Sequence, residues 1–112
     1  MTDPKTALGE AKRRLGDLAG AAPDAMKAMA GLTRAAAASP GGFSAAQKEL
    51  IAVAISVVEG CEDCILFHVD LARRHGATEA DLAQALSVAI EMGGGPAAMY
   101  AGKALAAWRG LA

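Results

Sequence analysis

Glycine, proline and helix-capping residues divide this chain into six segments whose apolar side chains recur at the helical period. Pro4 and Pro23 stand where a first helical turn accepts proline, and Ser44 with Gln47 forms the pattern of a capping box. No alternating apolar stretch is flanked by a hairpin turn, so the pattern predicts an all-α fold. The expected helices are Asp3–Leu18, Pro23–Ala38, Ser44–Gly60, Cys61–His75, Thr78–Met92 and Pro96–Trp108.

The 112 residues are enough for one domain, which we expect to span 1–112. Aromatic residues make up only 4% of the chain, so its core must be built from Ala, Leu, Ile, Val and Met. Hydrophobic residues nevertheless reach 54%, more than a chain this short is expected to bury by itself. We therefore expect a homo-oligomer.

Charge and hydropathy exclude several functional classes. The formal net charge is −1 and the basic residues are scattered, whereas a nucleic-acid-binding protein needs a basic patch or stripe. No apolar run approaches the roughly 18–20 residues of a membrane-spanning helix. Met1–Gly9 is mixed polar and lacks the apolar core of a signal peptide, which predicts a cytoplasmic location.

A C-x-x-C-x-x-x-H pattern begins the fourth expected helix. Its residues Cys61, Cys64 and His68 fall on one helical face, because positions i, i+3 and i+7 are close in angle at about 100° per residue. Gly60 places Cys61 in the first turn, where backbone N–H groups and the helix dipole stabilise a thiolate. A cysteine in this setting can have a pKa lowered to about 3.5–7.5, which makes it a nucleophile at neutral pH.

Glu49 is the expected partner of His68. If the third and fourth helices form an antiparallel hairpin about Gly60, Glu49 lies eleven residues before the turn and His68 eight after it, at similar heights. A carboxylate beside an imidazole that faces a thiol can relay protons. The acidic side chains around the cysteines oppose thiolate formation by like charge; they are Glu59, Glu62 and Asp63.

Other interpretations of the cysteine pair remain open. The two thiols could be inert core residues, or they could hold zinc with His68 and either Glu49 or His75 in a metal-binding, non-catalytic oligomer. Structural zinc sites usually join two ligand clusters, and only one cluster is present here. Haem attachment would need histidine at the position of Ile65.

The spacing of the site resembles a known family. Glu49, eleven intervening residues, the Cys61 to Cys64 pair and His68 are similar to the AhpD-like branch of the carboxymuconolactone decarboxylase superfamily. The resemblance covers about residues 20–105. The downstream residues that carry it are Ala72, Gly76, Ala77, Thr78, Ala89 and the run Met92–Pro96.

This resemblance implies an all-helical AhpD-like fold of about six helices, assembled as a trimer or hexamer. It also implies a thiol-dependent peroxidase or disulfide reductase without cofactor or bound metal, with Cys61 and Cys64 as the redox pair and His68 and Glu49 as the proton relay. The implied partners are a small-molecule peroxide and a thiol reductant such as a lipoyl-bearing protein.

This chain departs from the usual family pattern at one position. The family commonly has an aromatic residue, His or Ser immediately before the second cysteine, where this chain has Asp63. The alternative activity within the superfamily is lactone decarboxylation, although that branch typically lacks the cysteine pair. The sequence leaves open which cysteine attacks first, because the helix start favours Cys61 and the four-residue spacing to His68 favours Cys64.

Overall fold

Five α-helices make up the described part of the chain in the computed structural model, which covers residues 2–112. Met1, the first residue of the expected domain, lies outside that range. The all-α prediction is confirmed. The helices are α1 (Pro4–Ala21), α2 (Pro23–Ala38), α3 (Ala45–Glu59), α4 (Glu62–Arg74) and α5 (Glu79–Gly110).

Side-chain caps determine where three of these helices begin. The Asp3 carboxylate accepts a hydrogen bond from a backbone N–H in the first turn of α1. Ser44 and Gln47 form a reciprocal capping box at the start of α3, and Thr78 and Asp81 form another at the start of α5. Each cap satisfies backbone N–H groups that lack a partner within the helix, and the box formed by Ser44 and Gln47 is the one that the sequence pattern predicted.

The expected fifth and sixth helices are both present as the two halves of α5, which a sharp kink at Gly94 separates, so five continuous elements contain the six expected helical segments. Within α5, Gly94 adopts φ 69° and ψ −147°, which is not helical. Pro96 has no N–H to donate and its ring clashes with the carbonyl four residues earlier, so a break is required here. Helical geometry resumes immediately, and the glycine run forms a kink where a loop was expected.

Two other helix boundaries differ from those predicted. We expected α1 to end near Leu18 and Gly20, but it continues to Ala21. A single glycine costs a helix only about 1 kcal/mol relative to alanine, so Gly20 does not stop it. Cys61 and His75 lie just outside α4 as its N-cap and C-cap, whereas the sequence pattern placed both within the helix.

Helices α3, α4 and α5 form the main core. Its largest fully buried side chains are Ile65, Leu82, Val53, Val57 and Val69. The many core alanines of α5 let its neighbours approach closely, and α1 adds Leu8 and Ala11. No helix in residues 2–112 is both long enough and apolar enough to cross a membrane. The connection between α3 and α4, which consists of Gly60 and Cys61, joins two helices of this core.

Helix α2 contributes no buried residue to the core. Its C-terminal end is held by Lys48 of α3, whose Nζ donates hydrogen bonds to the carbonyls of Ala36, Ala37 and Ser39 at 3.2, 2.9 and 2.8 Å. A lysine at a helix C-terminus also complements the negative end of the helix dipole. This contact ties α2 to the core while leaving its apolar side chains uncovered.

Candidate functional site

The cysteine pair is formed by the tight turn between α3 and α4. Gly60 ends α3 in the left-handed conformation, with φ 72° and ψ 33°, which glycine adopts without a steric penalty. A side chain here would also meet the Tyr100 ring, since a Cβ atom at this position would lie 3.2 Å from it. The Cys61 N–H then donates to the carbonyl of Ser56 at 3.0 Å. Both sides of the turn are therefore fixed, and Cys61 is held at the start of α4.

Cys61 is the N-cap of α4, one residue before the position predicted for it. Its sulfur accepts a hydrogen bond from the backbone N–H of Cys64 at 3.3 Å. An N–H group directed at sulfur favours a thiolate there, because hydrogen bonds to a charged acceptor are stronger than those to a neutral one. The corrected position thus retains the electrostatic advantage expected from the helix start.

Cys61 and Cys64 are joined as a disulfide within the chain, with Cα atoms 5.2 Å apart. This separation lies within the range of about 4.4–6.8 Å that disulfides require. Both cysteines are partly exposed, and neither belongs to the buried core. The backbone at the beginning of α4 therefore accommodates the oxidised pair.

Glu49 and His68 are in direct contact beside the cysteine pair. His68 Nδ1 and Glu49 Oε2 are 2.7 Å apart, and the side chains are 34% and 22% exposed. The antiparallel arrangement of α3 and α4 brings them to the same height on either side of the turn. When Nδ1 donates its proton to the carboxylate, Nε2 is the ring nitrogen that can exchange a proton with another group. His68 follows Cys64 by one helical turn, so both lie on the same side of α4.

The alternative zinc site has no corresponding geometry. Among residues 2–112, no group of three or more His, Cys, Asp or Glu side chains is arranged to hold a metal ion. Glu49 is engaged with His68, and His75 caps the opposite end of α4 from the cysteines. The length of α4 therefore separates His75 from the cysteines.

The residues between the cysteines have partners that the sequence pattern did not indicate. Arg14 of α1 donates to the Asp63 carboxylate at 3.0 Å, and Lys103 of α5 donates to the Glu62 carboxylate. This hydrogen bond and the charge of the Glu62 carboxylate raise the pKa of Lys103. These pairs join residues 49 and 41 positions apart in the chain, so helical periodicity gave no signal for them.

Beside these ion pairs lies an open groove of about 560 Å³ between α1, α4 and α5. Its walls combine an apolar floor that includes Leu66 and Ala106 with the charged side chains of Glu10, Arg14 and Lys103. The groove therefore borders the segment between the two cysteines.

The sequence and fold are similar to those of several bacterial proteins. An uncharacterised protein of Cupriavidus necator is 55% identical over 105 residues, covering 94% of this chain and 92% of that protein. Uncharacterised protein 4 in the cox locus of Paracoccus denitrificans is 42% identical over 106 residues, covering 95% and 88%.

A solved structure matches the fold closely. The crystal structure of an apo carboxymuconolactone decarboxylase family protein from Legionella pneumophila superposes with a TM-score of 0.88 at 33% identity, covering 95% of this chain and 94% of that one. The sequence pattern of the carboxymuconolactone decarboxylase family itself matches residues 23–107. This chain is therefore a member of the carboxymuconolactone decarboxylase family.

Proposed function

We propose that this protein is a thiol-dependent peroxidase or disulfide reductase of the AhpD-like branch of its family, cycling between a Cys61/Cys64 dithiol and an intramolecular disulfide. The observation that carries the proposal is a disulfide-forming pair at a helix start with a hydrogen-bonded Glu49–His68 pair one turn further along. A nucleophilic thiol needs a base within reach, and a base needs a group that orients it. In this proposal a thiol of the pair is the nucleophile, His68 is the base and Glu49 orients the base.

The peroxidase half of the cycle uses both sulfurs. One thiolate attacks a peroxide oxygen, the O–O bond breaks, and the products are a cysteine sulfenic acid and an alkoxide that takes up a proton to leave as an alcohol. The second thiol then attacks the sulfenic sulfur, forming the Cys61–Cys64 bond and releasing water. Two electrons pass from the dithiol to the peroxide.

His68 and Glu49 supply the proton transfers in this scheme. The imidazole accepts the proton of the attacking thiol and returns it to the departing oxygen. Glu49 orients the ring through its contact with Nδ1 and stabilises the imidazolium that forms after proton transfer. The placement of His68 one turn after Cys64 supports this role.

The return half of the cycle requires an external dithiol. One of its thiolates attacks the Cys61–Cys64 disulfide to give a mixed disulfide, and its second thiol completes the exchange, leaving the protein reduced and the reductant oxidised. The partly exposed cysteines suit this attack. A protein-bound lipoyl group is a reductant of this chemical class.

The function is tested by measuring peroxide consumption with dithiothreitol or dihydrolipoamide as reductant. We expect catalytic turnover of hydrogen peroxide or an organic hydroperoxide that depends on both the protein and the dithiol. Lactone decarboxylation needs no redox-active thiols, so decarboxylation of a lactone substrate together with no peroxide consumption would refute the proposal.

The uncovered apolar surface supports a homo-oligomer, either a trimer or a hexamer. Ile51, Ile55 and Val58 are 44%, 52% and 49% exposed and recur at helical spacing along one face of α3. Met92 of α5 lies next to Gly93, which approaches Val58, and is 75% exposed. Proteins that remain monomeric seldom expose contiguous apolar patches of this kind. A second copy of the chain is the occupant we propose for this surface.

We expect light scattering at micromolar concentration to report a trimer or a hexamer. Ile55→Glu should shift the protein towards smaller species, because it places a charge in the apolar contact. Gln84→Glu is the matched control, since it adds the same charge at an exposed position of α5 outside the α3 face and should leave the mass unchanged. A wild-type protein that is monomeric under these conditions contradicts the assembly.

A further inference from the structure

Each of the two residues between the cysteines is paired with a cation from a different helix. Arg14 of α1 binds Asp63, and Lys103 of α5 binds Glu62. We propose that Arg14 and Lys103 are positioning residues that neutralise these carboxylates and so allow the reactive cysteine to be a thiolate at neutral pH. This inference rests on the proposed function only in requiring a nucleophilic thiol at the pair.

The two carboxylates have opposing effects at this position. In the first turn of α4, Glu62 and Asp63 complement the positive end of the helix dipole and stabilise the helix. The same negative charges raise the free energy of a thiolate on either cysteine. A cation paired with each carboxylate offsets part of this repulsion. The two ion pairs therefore lower the free energy of a thiolate that lies next to two carboxylates.

Further acidic side chains near the cysteines add to the negative charge that Arg14 and Lys103 offset. Glu59 at the end of α3 precedes Cys61 by two residues, and Glu10 of α1 lines the adjoining groove. The Glu49 carboxylate is paired with His68 rather than with either of these cations. Among these groups, Arg14 and Lys103 are the cations that contact the residues between the cysteines.

Lys103 is held in position by a second contact. Its ammonium lies 5.5 Å from the centre of the Tyr100 ring, a cation–π arrangement. Tyr100 in turn packs against Gly60, the residue that forms the turn into Cys61. The cation on α5 is thus connected to the backbone that presents the cysteine.

The exposure of these side chains sets the size of the effect. The four paired side chains are 55–59% exposed, so their charges are screened by water and salt. We expect each cation to shift the thiol titration by about half a pH unit at low ionic strength, and both together by about one unit. The shift should shrink at high salt, whereas a packing defect should not respond in this way.

The experiment measures the alkylation rate of the fully reduced protein by iodoacetamide as a function of pH. For Arg14→Gln, Lys103→Gln and the double variant, the midpoint of the thiolate titration should move to higher pH. Adding Asp63→Asn to Arg14→Gln, or Glu62→Gln to Lys103→Gln, should return the midpoint to the wild-type value, because the unpaired carboxylate is then removed as well. Lys12→Gln is the control, because it also removes one positive charge from α1. Lys12 lies about 200° around the helix from Arg14, so this variant should keep the wild-type midpoint.

A wild-type midpoint in the double variant Arg14→Gln/Lys103→Gln would overturn the proposal. A shift that neither carboxylate substitution reverses would also overturn it, since that result indicates altered packing. The assay needs no peroxide, so its outcome is independent of the proposed peroxidase activity. If the wild-type protein consumes peroxide but the double variant keeps the wild-type midpoint of the thiolate titration, only the proposed role of the two cations is rejected.

Discussion

Replacing either cysteine with serine is expected to abolish peroxide turnover. A serine hydroxyl is not ionised at neutral pH and cannot enter a disulfide, so neither Cys61→Ser nor Cys64→Ser can complete the cycle. The measurement is peroxide consumption with excess dihydrolipoamide, together with circular dichroism and light scattering to show that the fold and assembly are retained. Because both cysteines are partly exposed, neither substitution removes a core contact.

The same variants identify the cysteine that attacks peroxide. The variant that keeps the attacking residue should stop at a sulfenic acid, which a sulfenic-acid-specific reagent traps, whereas the other should not react. The hydrogen bond from the Cys64 N–H to the Cys61 sulfur favours Cys61, and the one-turn spacing to His68 favours Cys64. Wild-type turnover in either single variant would contradict the two-cysteine cycle.

The second large effect is expected at the Glu49–His68 pair. General acid–base assistance contributes about 10²–10⁴-fold, so His68→Ala should slow peroxide turnover by about that factor. Glu49→Gln should also slow turnover substantially, because its amide keeps the shape but cannot stabilise an imidazolium as a carboxylate does. Both variants should keep the wild-type fold and oligomer. His75→Ala is the matched control, since it removes a histidine at the far end of α4 and should retain turnover.

Turnover and melting temperature measured on the same variants separate the competing explanations. A zinc site predicts that loss of His68 releases metal and destabilises the protein, with no peroxidase activity to lose. A purely structural pair predicts reduced stability alone. If His68→Ala and Glu49→Gln both retain wild-type turnover, the proton relay is wrong even where the dithiol is active.

Local signals predicted most of the fold. Caps at Asp3, Ser44 and Thr78 and the left-handed Gly60 act within one or two turns, so the sequence contains the information that places them. The glycine run before Pro96 predicted a break, but whether a break becomes a loop or a kink depends on tertiary packing. Here the helix resumes directly after Gly94, and residues on both sides of the break pack into one core.

In the candidate site too, the sequence predicted contacts that follow from helical spacing but not contacts that depend on how the helices pack. The Glu49–His68 contact follows from a hairpin of two regular helices, so counting residues from Gly60 was enough to anticipate their proximity. Their catalytic role remains a prediction. The contacts of Arg14, Tyr100 and Lys103 depend on how α1 and α5 cross α4, which a helical pattern does not specify.

The central claim is that Cys61 and Cys64 pass from a dithiol to an intramolecular disulfide when they reduce a peroxide. Its most direct test is a single turnover, in which fully reduced protein is mixed with one equivalent of hydrogen peroxide and no other thiol. Both cysteines lie in one tryptic peptide, residues 49–73, so mass spectrometry of the unreduced digest reports on the pair directly. We predict the loss of two thiols per chain and a peptide lighter by two hydrogen atoms. Two free thiols per chain after this treatment, with the peroxide unconsumed, would contradict the account.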